Sequence, residues 1–77
     1  MKGDLQIANF TFHVEVMDLQ VEQSQSGPAI WTGRIAKPRG TLAGIIIPIL
    51  TLEDGRRGEA QIVTEAANEF TFRGRLL

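Results

Sequence analysis

Between Leu5 and Val21 the apolar residues change phase twice, and no flat strand accommodates that. In Phe10-Thr11-Phe12-His13-Val14-Glu15-Val16 apolar and polar residues alternate without a miss, the period of two of a strand with one buried face. Phe10, Phe12, Val14 and Val16 are expected inward, and Thr11, His13 and Glu15 outward. Upstream the apolar positions are Leu5 and Ile7, and downstream they are Met17, Leu19 and Val21, all odd-numbered. A slip of one residue sends every side chain to the other face. Breaks are therefore required near Ala8-Asn9 and near Val16-Met17, and bulges or sharp bends supply them while curling a small sheet towards a barrel. A straight strand from Asp4 to Glu22 would span roughly 60 Å, too long for so small a domain.

The rest of the chain reads as short strands between turn signals. Gln23-Ser24-Gln25-Ser26-Gly27-Pro28 is a polar loop, followed by a strand from Ala29 to Ile35 with Trp31, Gly33 and Ile35 on one face. Lys37-Pro38-Arg39-Gly40 has the composition of a turn. A third strand, Thr41 to Leu52, runs into Asp54-Gly55, the dipeptide of a tight type I′ hairpin. A two-residue loop there sets Glu53 opposite Arg56, Ile49 opposite Ala60 and Ile47 opposite Ile62; a three-residue loop shifts the pairing by one. A fourth strand spans about Gly58 to Glu65, Ala66 to Glu69 turn the chain, and the fifth is Phe70 to Leu76 with Phe70, Phe72 and Leu76 inward. The expected fold is all-β: one small antiparallel barrel or half-barrel over residues 1–77, of five to six strands and SH3-like or OB-like size, with no significant helix.

Such a chain has little core to spare. At 77 residues it buries only about 60% of its unfolded surface, and without cysteine it has neither disulfides nor thiolate metal ligands. Self-association is the remaining reinforcement, and the third strand is apolar on both faces and interrupted by Pro48. Ile46, Pro48, Leu50 and Leu52 are accordingly the expected interface of a homo-oligomer, a dimer first, or of another protein partner.

Charge and motifs exclude more than they assign. Residues 1–32 net −3 and residues 33–77 net +2, an asymmetry that steers association but is too mild to announce a nucleic-acid binder. The most apolar stretch, Gly44 to Leu52, is about half a membrane-spanning helix, and no secretory signal is visible, so a cytoplasmic, membrane-free setting is expected. His13, beside Glu15, is the lone imidazole and reads as a surface residue. No Gly-x-Ser-x-Gly elbow, phosphate loop or buried carboxylate pair is present, so no enzyme, cofactor or metal site is expected.

Two lesser readings stand beside the interaction module. Arg34, Lys37, Arg39, Arg73 and Arg75 form a cationic patch if the second and fifth strands lie together, as a nucleic-acid-binding barrel needs. Trp31, expected in the core, would otherwise serve a small-molecule site or a stacking surface.

Overall fold

The computed structural model describes residues 1–23, 25–36 and 47–77. Seven antiparallel strands cross them: β1 (Lys2–Ile7), β2 (Phe10–Glu22), β3 (Ile30–Ala36), β4 (Ile49–Leu52), β5 (Arg57–Glu59), β6 (Gln61–Glu65) and β7 (Glu69–Arg75). No helix occurs among the described residues. Hydrogen bonding orders the strands β5-β4-β1-β2-β3-β7-β6.

The two ends of that order are neighbours in the chain, and this closes the sheet. Gly58 of β5 bridges to Leu76 in the same offset that pairs Gln61 with Arg73 and Ile62 with Phe72. β5 and β6 are therefore two halves of one path bent at Ala60. Its first half carries β4 along one edge, and β7 follows its other edge. The result is a nearly closed all-β barrel, as the alternation implies. Counted with β5 and β6 as one, it has six staves, which is how the single run from Gly58 to Glu65 reads in the sequence.

Both required phase breaks exist, in different forms. At Ala8-Asn9 the chain reverses completely: Ile7 pairs with Phe10 across a two-residue turn, with Ala8 at φ 52°. The second break is a bulge. Met17 pairs with Arg34 and Gln20 with Thr32, so Asp18 and Leu19 oppose Gly33 alone, with Asp18 at φ 53°. Before the bulge Val14 and Val16 are buried; after it Leu19 packs on the core, so the inward parity has switched.

The Asp54-Gly55 hairpin corrects the expected register. Ile49 pairs with Glu59, Leu50 with Gly58 and Thr51 with Arg57. Gly55 N–H donates to Leu52 O at 3.0 Å and Leu52 N–H to Arg56 O at 2.8 Å, enclosing a three-residue loop, Glu53 to Gly55. Only Gly55 of these has positive φ, 96°, whereas a type I′ turn needs it at both central positions. The Asp54 carboxylate instead accepts the backbone N–H of Arg56 at 3.0 Å and its Nε–H at 2.8 Å.

That one-residue shift exchanges the faces of β4. Leu50 now lies over Gly58, on the side of Ala60, and Leu50, Leu52 and Pro48 are buried within the single chain. The expected interface at Pro48, Leu50 and Leu52 is therefore spent on the chain's own core, and a charge at Leu50 would unfold the barrel rather than split a dimer. Ile46 lies outside the described residues, as do Ser24, Lys37 to Gly40 and the first half of the expected third strand. On the outer side of β4 stand Ile49, half-buried, and just before it the exposed Ile47.

Leu5, Val14, Val16, Trp31, Ile35, Leu50, Leu52, Ala60 and Phe72 make the core. Phe10, expected inward, is 68% exposed at the turn end of β2, while its pair partner Ile7 packs against the core. Trp31 and Phe72 meet edge to face, 5.9 Å between centroids. The Trp31 indole N–H donates at 2.8 Å to the carbonyl of Glu59, the residue before the bend. Glycines make the approach possible. A Cβ on Gly58 would sit 2.8 Å from the Trp31 ring and 2.6 Å from the Arg75 carbonyl, and one on Gly74 would overlap the Glu59 carbonyl group.

Gly74→Ala is expected to cost about 3 kcal/mol or more in urea unfolding, since backbone rather than a mobile side chain must move; a loss under about 1 kcal/mol would mean that β7 and Glu59 are not in contact. The ion-paired Asp54 is held below the ordinary carboxylate range, first by the Arg56 side-chain hydrogen bond and then by its backbone N–H. A depressed folded pKa adds stability above the unfolded value and loses it as pH falls towards the folded one. Asp54→Asn should therefore be less stable than the parent at neutral pH, with the difference closing on acidification; a constant difference would reject the pairing.

Candidate functional site

Among the described residues, one depression lies on the outer side of β4, β1 and β2. β1 supplies Lys2 and Asp4, β2 supplies His13 and Glu15, and β4 with its following loop supplies Thr51 and Glu53. Alternation turns all six outward while Gly3, Val14 and Leu52 between them face the core, leaving their backbone as the floor. Register fixes the rows: Lys2 opposite Glu15, and Asp4 opposite both His13 and Thr51. Glu53 is drawn alongside by its N–H bond to the Lys2 carbonyl, 3.0 Å. The depression holds about 650 Å³.

Its chemistry is acidic. Asp4, Glu15 and Glu53 stand against Lys2, with His13 beside them. His13 Nδ1 lies 2.7 Å from Asp4 Oδ1 across the strands, so its partner is Asp4 rather than its sequence neighbour Glu15. Glu15 accepts a hydrogen bond from the Met1 amino group at 2.9 Å. Both His13, 90% exposed, and Asp4 are open to water, so their pairing is a weak tether. Asp4 stands between Thr51 and His13. A hydroxyl nucleophile needs the imidazole in that middle place, so the row lacks the order of a general-base triad. Among the described residues, no three of the His, Asp and Glu side chains converge to hold a metal ion.

The expected cationic patch is divided by its own neighbours. The bulge at Asp18 puts that carboxylate against one guanidinium nitrogen of Arg34, while Glu69 holds the other at 2.9 Å, joining β2, β3 and β7. These bonds, Glu69's first, raise the Arg34 pKa further above its ordinary value. Arg75 donates from Nε and Nη2 to Glu59, at 3.0 and 2.8 Å. Arg73 is exposed between Thr32 and Gln61, and Lys37 and Arg39 lie outside the described residues. Trp31 is fully buried, so it neither stacks on a base nor lines a surface pocket. Among the described residues no helix is long and apolar enough to cross a membrane. Comparison of the chain with known protein families, curated proteins and solved structures gives no match.

The groove escaped the sequence reading because it depends on pairing. Lys2-Gly3-Asp4 and His13-Val14-Glu15 each alternate visibly, but they face each other only because Ala8-Asn9 reverses the chain. In the folded protein Trp31 fluorescence is expected to resist quenching by iodide and to ignore added oligonucleotide; ready quenching would put the indole at the surface and reopen its ligand role.

Proposed function

We propose that the protein is a non-catalytic protein-interaction module that docks cationic protein surfaces, its own copies included, in the groove on β4, β1 and β2. What carries this reading is the composition of the groove: three carboxylates to one lysine, on strands central to the sheet order. Strands whose inner faces are locked into the core hold outer side chains at fixed spacings, which suits recognition of a surface without rearrangement. Rim charges of this kind steer encounter and set register more than they add affinity. A nucleic-acid reading is disfavoured by the pairing of its cations: Arg34 is held by Asp18 and Glu69, and Arg75 by Glu59.

A fluorescent Arg/Lys-rich peptide should bind at low ionic strength and weaken steeply as salt shortens the screening length. Asp4→Asn with Glu15→Gln and Glu53→Gln should weaken it by about tenfold, from roughly 0.2–1 kcal/mol for each exposed pair lost. Equal binding by parent and variant in fluorescence anisotropy would move the docking site off this groove.

A further inference from the structure

We draw no further inference here: the strongest candidate, the surface of β6 at the end of the strand order with its exposed Val63, is an apolar face for which nothing in the structure shows what covers it.

Discussion

The hydrogen bond from the Trp31 indole to the Glu59 carbonyl is the contact on which the closed sheet depends. A strand that leaves one neighbour and joins another must turn its backbone, and at the turn a carbonyl loses its ladder partner. Here Glu59 stands just before the bend at Ala60, and its carbonyl accepts the indole N–H of Trp31, a core side chain with a long-reaching donor. Trp31 pairs with Gly74 on β7 and packs over Gly58 on β5, so a single ring touches both sides of the seam. An indole contributes one of the largest apolar areas any residue can bury, roughly 150–250 Å². The hydrogen bond adds about 1 kcal/mol and avoids a larger penalty for an unpaired carbonyl. Large residue and small residues are therefore one device: the glycines are small because the tryptophan is not.

Closure also distributes charge. In an open sheet of this strand order, β1 and β7 would lie on the same broad surface and their fields would overlap. Curling brings β5 to β7 and sends the outer faces of β1 and β7 in opposite directions. Asp18 and Arg34 show how local geometry trims charge, since the bulge that switches inward parity in β2 also delivers a carboxylate to a guanidinium on the neighbouring strand β3.

The strand content and the barrel were legible because alternation and its phase slips report directly on which residues face inward. Trp31, Gly33, Ile35, Phe70 and Phe72 fell on the expected side for that reason. The faces of β4 did not, and the cause is one dihedral. Asp54 keeps a negative φ, the loop gains a residue, and a slip of one exchanges Leu50 for Ile49 at the core. A strand apolar on both faces offers no pattern to arbitrate. Ala8-Asn9 carries neither glycine nor proline, so a full reversal looked like a bend, and with it the partnership of Asp4 and His13 stayed hidden. Phe10 shows the remaining limit: periodicity gives the direction of a side chain but not whether the core extends beneath it.

The pairing of Asp4 with His13 on one side and Thr51 on the other has a consequence for how the molecule forms in time. The β1–β2 hairpin closes a two-residue loop, an event of about microseconds, and needs nothing downstream. β4 must return across most of the chain to reach β1, and contacts of such sequence separation form slowly and late. One wall of the groove is thus available almost at once, and the opposite wall arrives only with the return of β4. The groove is a late product of folding, and its presence on a molecule certifies that β4 has reached its place.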